Sequence, residues 1–378
     1  MENTKERKEM EQAPVMDVVV NGNGTATIDA TKAKLISKRK LFTLPQWAVA
    51  WIVLIPALIF IVMFMLYPII NTFLYAFIQD FEYIPKAGSF ALGQFLSRVS
   101  SGKGLTPTFG FGNFAVVLSN QVFLKSILNT AELVIVEVPL TIIISLLIAT
   151  FLNSIKALKG LYQTIFFLPY VTNSIALGLV FNMAFSKTPG GLINIVLMRV
   201  FGVENPINWL SSTGYITEAG VNTGAATRFH QGVVIVTYSL WNGIAFKILV
   251  FMSGLATIDK QYYDAAKIDG SSSFTIWRRI TLPLLSPQIL YITITSFIGS
   301  FKMYTGVLAV YQGTEAKPHY FGGDTGEEWM PVVGWLYREL ELSYTKPGIS
   351  SAGSLVLLGI IMIITVAQFA VSKKRVHY

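Results

Sequence analysis

The chain has 378 residues, of which 53% are hydrophobic and only 13% charged, and its mean hydropathy is +0.55. Soluble domains are about 25% charged, so this chain cannot cover a water-facing surface, which excludes an ordinary cytosolic enzyme and indicates a membrane protein. The formal net charge of +8 fits the excess of Lys and Arg in cytoplasmic membrane loops, so we expect lipid and no nucleic acid as a partner. The chain has no cysteine, which excludes disulfides, thiolate metal sites and cysteine nucleophiles.

Six stretches of the sequence are long and apolar enough to cross a bilayer. The hydrocarbon core is about 30 Å thick and needs roughly 20 apolar residues in a helix, because backbone groups in lipid must bond within their own segment. The sequence therefore predicts an all-α, polytopic membrane protein with six transmembrane helices. The predicted helices cover approximately residues 47–70, 127–151, 161–185, 232–255, 289–311 and 354–371.

The distribution of Lys and Arg between these stretches predicts their orientation. Seventeen lie in the two tails and in the short links after the second and fourth helices, whereas ten lie in the three longer loops on the other side. Cytoplasmic loops carry the excess of positive charge. We therefore expect both termini and the two short links to be cytoplasmic.

The expected domain organisation follows from these spans. Residues 1–45 are predicted to form a disordered cytoplasmic tail, with NGNGT as a loop, and 46–70 an anchor helix too long for the core of a cleaved signal peptide. Residues 71–125 form an extracytoplasmic loop, 126–371 the transmembrane core, and 372–378 a basic cytoplasmic end.

Two outer segments, 190–202 and 329–342, are predicted to form amphipathic helices in the membrane interface. Trp329 and Trp335 of the second segment are suited to the level of the lipid headgroups.

A segment between the fourth and fifth spans, residues 253–287, is too short for a domain and too patterned for a linker. Gly254 is expected to end the fourth span, and Asp259 to cap a new short helix. Gly270 then permits a bend, and two later prolines redirect the chain into the fifth span. Aromatic residues beside small ones, as at 262–266, are what a docked helix offers to a groove.

Within this segment, DAAKIDGSSSFTIWRRITLP resembles the EAA loop of ABC importer permeases. The spacing is an acidic residue and two alanines, three residues, glycine, nine residues, isoleucine, one residue and Leu-Pro, with aspartate where the family usually has glutamate. NPINWL at 205–210, LWNGIAFKILVFMSGL at 240–255 and GISSAGSLVLL at 348–358 resemble the carbohydrate branch, the maltose and multiple-sugar type. The resemblance runs from about residue 120 to the carboxyl end.

The resemblance implies partners for this chain. The EAA-type loop, at 256–284 of a permease core, would be a coupling helix on the cytoplasmic face, seated in an ABC ATPase dimer. That dimer would bind ATP and Mg, and this chain would hold no cofactor. A second homologous permease subunit would share the pathway, and an extracytoplasmic solute-binding protein would deliver the solute. The implied coupling residues are Asp264, Ala265, Ala266, Gly270, Arg278, Arg279, Ile280 and Pro283.

A plainer interpretation of the same residues stays open. Gly270 and the two alanines would also suit a cytoplasmic helix that merely packs, and the pair Arg278-Arg279 is a common positive-inside or lipid contact.

Motifs for nucleotide and metal chemistry are missing from the sequence. No GxxxxGK[ST] occurs, since the nearest string, at 348–354, lacks the phosphate-binding lysine. The three histidines, His230, His319 and His377, lie far apart in the sequence, so the sequence gives no support for zinc binding or histidine-based catalysis. We therefore expect no enzyme activity in this chain and ATP hydrolysis by a partner.

Polar residues inside the predicted spans indicate a solute pathway, because such groups are costly in lipid and usually face a bundle interior or water. Ser296 and Ser300 share one helix face, and Met303 lies close to it. Short polar side chains bind sugar hydroxyls, although serines at this spacing also allow close helix packing. Further polar residues in the spans are Glu132, Glu137, Asn173, Asn182, Asn242, Lys247, Lys302, Tyr304 and Gln368.

Alignment with maltose-type permeases places several of these residues on substrate contacts. Ser296 and Gly243 match, Phe246 replaces a tyrosine, and Met303 and Ser300 pair less well with hydroxyls than asparagine does, so maltose itself is in doubt. The predicted pathway residues are Asn242, Gly243, Phe246, Ser296, Ser300, Lys302, Met303 and Tyr304.

The function implied is that of a permease subunit of an ATP-driven ABC importer, which moves a sugar or oligosaccharide by alternating access across a bacterial or archaeal cytoplasmic membrane. The alternative within transport is another polar solute, such as glycerol phosphate or an amino acid. A pocket near Lys302 would suit an acidic or phosphorylated sugar, unless the side chain of Lys302 extends to the outer membrane surface and leaves its ammonium group in water. An ATP-independent channel or scaffold would leave the EAA-type loop without a purpose, and a membrane-embedded enzyme lacks a catalytic constellation.

Overall fold

This computed structural model describes residues 18–20, 26–28, 45–79, 108–155, 159–211, 226–311, 321, 327–342 and 347–372. The chain divides into two compact units, Met1–Tyr67 and Pro68–Tyr378, and each is described by itself. Residues 373–378 of the basic end predicted at 372–378, most of the tail and much of the predicted loop at 71–125 lie outside the described residues.

The first unit contains a short hairpin and an apolar helix. Strand β1 (Val18–Val20) pairs antiparallel with β2 (Ala26–Ile28). Helix α1 (Gln46–Ile61) continues into a π-helical turn (Val62–Leu66), and its large apolar side chains are exposed on every face, as in a helix surrounded by lipid. Residues 18–20 and 26–28 of the predicted disordered tail are thus strands, and the rest of that tail up to residue 44 lies outside the described residues.

The second unit is a helical bundle with one short strand pair among its described residues. Its first half contains α2 (Tyr67–Phe77), β3 (Ile78–Gln79) paired with β4 (Thr108–Phe109), α3 (Gly112–Ser119), α4 (Gln121–Ser154), α5 (Lys159–Val171), α6 (Ser174–Ala184) and α7 (Leu192–Val200). Its second half contains α8 (Arg228–Thr257), α9 (Lys260–Ile268), α10 (Ser273–Ile276), a π-helical turn (Trp277–Thr281), α11 (Leu282–Leu284), α12 (Ser286–Phe301), α13 (Thr305–Tyr311), α14 (Val332–Leu342) and α15 (Gly348–Ser372).

The candidate membrane spans fall into two groups. The helices that are long and apolar enough to cross a membrane are Trp47–Phe77, Gln121–Ser154, Arg228–Thr257 and Gly348–Ser372. Two pairs of helices are long and apolar enough to cross a membrane only when both members are counted together. They are Gly160–Val171 with Ser174–Ala184, bent by 96°, and Ser273–Leu284 with Ser286–Phe301, bent by 64°. The described residues thus hold four spans, or up to six if each bent pair counts as one, by length and composition.

The third predicted span, 161–185, is broken near its middle, so the prediction of one continuous helix was wrong. Helix α5 ends at Val171, shortly after Pro169. Asn173 then caps α6, because its Oδ1 accepts the backbone N–H of Ile175 at 2.8 Å. A cap satisfies N–H groups that a helix start leaves free, so the chain can turn inside an apolar run.

The fifth predicted span, 289–311, is also two helices. Helix α12 ends at Phe301, residues 302–304 leave the helical path, and α13 begins at Thr305. The expectation that prolines redirect the chain into this span is confirmed, since Pro287 lies in the first turn of α12, directly after the 64° bend.

Two clusters of buried apolar side chains hold the second unit together, and both use α4 and α8. The larger cluster adds α13, α14 and α15, and in it the rings of Trp335 and Phe123 lie 4.6 Å apart between centroids. The smaller cluster joins α4 and α8 to α12 through Leu152, Phe251 and Ile292. Helices α4 and α8 are therefore the central pair against which the others pack.

The segments predicted as amphipathic are helical, as α7 and α14. The tryptophans expected at the headgroup level are instead buried in protein. Trp335 has no exposed surface, and the guanidinium carbon of Arg228 lies 4.2 Å from the ring centroid of Trp329. An indole suits both an interface and a core, so the sequence pattern alone did not distinguish them.

Candidate functional site

A cavity of about 580 Å³ lies between α4, α8, α12 and the two places where a predicted span is broken. Thr172 and Ser174 line it at the first break, and Lys302 and Thr305 at the second. Non-helical backbone at membrane depth is tolerated where it lines a cavity, which accounts for breaks at these two positions.

All eight residues predicted to lie on a solute pathway line this one cavity. Helix α8 contributes three of them, α12 contributes two, and the break between α12 and α13 contributes the rest. These residues are Asn242, Gly243, Phe246, Ser296, Ser300, Lys302, Met303 and Tyr304. Their role as solute contacts stays a prediction.

The cavity combines polar groups with aromatic faces. The rings of Phe246 and Tyr170 stack at 5.7 Å between centroids and 23° between planes. The hydroxyl of Ser239 donates to the sulfur of Met303 at 3.5 Å, and the hydroxyl of Tyr238 donates to the carbonyl at the start of α6 at 3.2 Å. Such a lining can hold a ligand that has hydroxyl edges and apolar faces.

Sequence reasoning did not predict two charged residues of the cavity, Glu137 on α4 and Lys247 on α8, as pathway residues. The sequence identified them only as polar groups that are costly inside a membrane span. Both line the cavity and are deeply buried, at 5% and 6% exposure. They come together because α4 packs along α8, and the sequence around neither residue predicts that packing. The available signal was the presence of opposite charges on two different spans.

The segment of residues 256–284, called the coupling segment below, is an ordered helical bracket. Asp259 caps α9 as predicted, its Oδ1 accepting a backbone N–H at 3.0 Å. Gly270 ends α9 with φ +73°, and the N–H of Ser271 bonds the carbonyl of Ala266 at 3.0 Å. This C-terminal closure needs a left-handed residue, which explains the glycine.

Side-chain contacts attach the coupling segment to the bundle. The indole N–H of Trp277 donates to the hydroxyl of Thr150 on α4 at 3.3 Å. The hydroxyls of Tyr263 and Thr281 lie 3.3 Å apart and join α9 to the π-helical turn. These contacts hold the segment against α4 and join its two halves.

Helix α8 continues past Gly254 to Thr257, so the prediction that Gly254 ends it was wrong. A Cβ at Gly254 would lie 2.9 Å from the Leu285 side chain and 2.8 Å from that of Gln288. The glycine therefore serves the close approach of α8 to the start of α12.

The predicted coupling residues do not form one cluster. Three of them, Ala265, Ala266 and Ile280, line a cavity of about 500 Å³ together with Asp259, Gln261, Tyr262 and Asp269. Three others, Asp264, Arg278 and Arg279, are exposed and do not line that cavity, Gly270 closes α9, and Pro283 is half-buried in α11. Apolar side chains also protrude here, with Ile268 at 86% exposure and Phe274 at 67%.

At the other end of α8, Arg228 ties α4 to the segment before α14, an arrangement called the Arg228 clasp below. Its guanidinium donates to Glu328 Oε1 and to Asn129 Oδ1, both at 3.1 Å, and pairs with Glu132. Partial burial raises the pKa of Glu328, but the hydrogen bond from Arg228 and the charge of Lys125 outweigh burial and hold that pKa below its ordinary value.

Known permeases resemble this chain over most of its length. The arabinooligosaccharides transport system permease protein AraP of Bacillus subtilis is 27% identical over 351 residues, which is 92% of this chain and 96% of AraP. The lactose transport system permease protein LacF of Rhizobium radiobacter is 29% identical over 266 residues, 70% of this chain and 76% of LacF.

The fold is also that of a chain in the crystal structure of a bacterial ABC transporter involved in the import of the acidic polysaccharide alginate. The TM-score is 0.63 at 18% identity, over 86% of this chain and 96% of that chain. The sequence profile of the family described as "Binding-protein-dependent transport system inner membrane component" matches residues 141–377, more than half of the chain, so this protein belongs to that family of multi-pass membrane transport components.

Proposed function

We propose that this chain is the permease subunit of an ABC importer that moves a sugar or oligosaccharide across the cytoplasmic membrane. The observation that carries the substrate class is the cavity of about 580 Å³, which is lined by several hydroxyl side chains, by the Asn242 amide and by the stacked rings of Phe246 and Tyr170. Sugars present hydroxyl edges and apolar ring faces to such a lining. The solutes named for AraP and LacF, arabino-oligosaccharides and lactose, support a carbohydrate.

The two broken spans support transport by alternating access. Helices α6 and α13 both begin at the cavity and are joined by a hydrogen bond of 2.7 Å from the Asn182 amide to the carbonyl of Val310. A Cβ on Gly178 of α6 would lie 2.5 Å from that of Ala309 on α13, so the two helices touch closely. They can therefore move as one body against α4 and α8, which opens the cavity to one side at a time.

The coupling segment is proposed to dock on an ABC ATPase dimer, with both chain termini on the same cytoplasmic side. Its cavity beside Ala265 and its protruding Ile268 offer a surface for that partner. The bond from Trp277 to Thr150 passes the partner's movement to α4. ATP and Mg are proposed to bind to the ATPase, and this chain to hold no cofactor.

Two further partners complete the proposed transporter. A solute-binding protein delivers the sugar on the extracytoplasmic side, as the name of the family indicates. A second, homologous permease subunit is proposed to share the pathway with this chain, as the resemblance to ABC importer permeases implies.

Co-purification tests the coupling segment. The chain is co-expressed with the transporter subunits encoded beside it and purified as wild type, Gly270→Trp and Gly202→Trp. Gly270 and Gly202 have φ of +73° and +68°, and nothing lies within 4 Å of a Cβ at either position, so both variants carry the same backbone strain. We expect the ATPase to be retained by the wild type and by Gly202→Trp and lost from Gly270→Trp.

An ATPase that stays bound to Gly270→Trp would contradict docking at this site. If the ATPase fails to accompany the wild type, the importer proposal itself is refuted. In the assembled transporter, we expect ATP-dependent uptake of at least one labelled sugar into proteoliposomes.

Lys302 favours a second candidate, an importer of an anionic solute such as glycerol phosphate. Its side chain is exposed and lines the cavity at the break after α12, where a phosphate could approach it. Lys302→Met should then lower uptake of glycerol 3-phosphate about tenfold or more, because a hydrogen bond to a charged group is lost. Unchanged uptake of each anionic solute would refute this candidate.

A further inference from the structure

We infer that Glu137 and Lys247 together hold one hydroxyl group of the transported solute, and that this pair makes the cavity selective for neutral, hydroxyl-bearing solutes over carboxylate-bearing ones. The inference rests on the proposed function, because it takes the cavity of about 580 Å³ to be the solute site.

Both side chains reach the same point beside Gly243. At the position that a Cβ would take on residue 243, Lys247 Nζ lies 3.1 Å away and Glu137 Oε1 lies 3.8 Å away. No ion pair of 4.0 Å or less joins these two side chains, both of which the structure describes. They face each other across the space that the glycine leaves open, and one small group placed there can contact both.

The Glu137 carboxylate has one oxygen, Oε2, without a hydrogen-bond partner among the described residues, while its other oxygen, Oε1, faces the space beside Gly243. The residue is 5% exposed. A buried acceptor without a donor is costly, and charged residues inside spans mark solute pathways. A pair with a purely structural role would gain most by closing into direct contact, because opposite charges attract strongly away from water.

A hydroxyl is the group that fits between these two charges. Its oxygen accepts from the Lys247 ammonium while its hydrogen is donated to the Glu137 carboxylate. A solute carboxylate has no proton to donate and is repelled by Glu137, and a solute ammonium cannot accept from Lys247. Lys302 also lines the cavity, but it is exposed, so water screens its attraction for anions.

The neighbouring aromatic pair suits the same ligand. Phe246 lies one helical turn after Gly243 on α8 and stacks on Tyr170, and both rings line the cavity. A sugar ring whose hydroxyl enters the space beside Gly243 can place its apolar face on these rings.

The test compares matched solutes in the complete transporter, reconstituted with its ATPase, partner permease and binding protein. The probes are cellobiose and cellobiouronic acid, which differ in a single carboxylate, together with lactose and its galacturonic acid counterpart. The variants are Glu137→Gln, Lys247→Met and Gly243→Ala. The control is Ser145→Ala, which removes a buried hydroxyl 3.4 Å from the Ile244 carbonyl at the same contact of α4 with α8 without lining the cavity.

We expect the wild type to import neutral probes faster than their acidic counterparts. Glu137→Gln and Lys247→Met should lower kcat/KM for the neutral probe about ten- to a hundredfold, the loss of one charge-assisted hydrogen bond. Glu137→Gln should also raise uptake of the acidic probe relative to the neutral one. Because the binding protein is the same in every preparation, a changed ratio arises in the permease.

Gly243→Ala keeps both charges and narrows the space between them, so it tests the inference even if the charge variants do not accumulate in the membrane. We expect it to lower neutral uptake while Ser145→Ala leaves the ratio unchanged. Equal losses for neutral and acidic probes, or a wild type that prefers the acidic probes, would overturn the inference. A wild type that imports no sugar at all would refute the proposed function itself.

Discussion

Replacement of Arg228 by methionine should destabilise the permease by removing the Arg228 clasp. The two ion pairs involve side chains that are about one-third to one-half exposed, so each is worth only about 0.2–1 kcal/mol. The contact with the Trp329 ring adds about 0.5–1 kcal/mol. The larger cost comes from Asn129, which is buried and whose Oδ1 loses its donor, at about 1–3 kcal/mol.

The expected total is a loss of about 2–6 kcal/mol in the free energy of unfolding. The measurement is reversible unfolding of the purified permease in mixed micelles, followed by circular dichroism. Arg228→Lys is the control: it keeps the charge but loses the planar fork that reaches Glu328 and Asn129 together, so it should fall between the wild type and Arg228→Met. Arg228→Met unfolding within about 0.5 kcal/mol of the wild type would refute the reasoning.

Three further predictions concern single positions. Gly306→Ala should destabilise the permease by about 1–3 kcal/mol in the same unfolding assay, because a Cβ there would overlap the ring of Tyr238. The control Gly359→Ala, where nothing lies within 4 Å of the new Cβ, should be neutral or slightly stabilising. Equal effects of the two substitutions would contradict the packing argument. Asn173→Ala should cost about 1 kcal/mol by removing the cap of α6, and an unchanged stability would show that the cap is not needed at this break. The pKa of Glu328 is lowered on folding, so its contribution is present above the ordinary carboxyl pKa and is lost as the pH falls through the folded value. The wild type should therefore lose more stability than Glu328→Gln between about pH 6 and about pH 3, and parallel pH profiles would contradict this.

Much of the coupling segment could be predicted from the sequence because its signals are local. Asp259 is a capping residue directly before α9, and Gly270 stands where the helix closes with a positive φ. The carboxyl end of α8 was harder to predict from the sequence. Gly254 has the pattern of a helix end, but it allows a close contact with Leu285, which is remote in sequence.

The pathway residues show the same division. Ser296 and Ser300 could be placed on one face from their spacing alone, because a helix repeats every 3.6 residues. Glu137 and Lys247 could not be assigned to the cavity, because their meeting beside Gly243 depends on how α4 packs along α8.

The sequence by itself determined that this chain is a helical membrane protein, that its apolar stretches are about six, and that a helix–glycine–helix segment precedes the fifth. These follow from hydropathy, length and caps, which act within a few residues. The tertiary structure alone decided that the third and fifth spans are broken at the cavity and that Trp335 is buried in the core. A polar break or a charge inside an apolar run becomes favourable only when another helix supplies its partner, and that partner is chosen by packing.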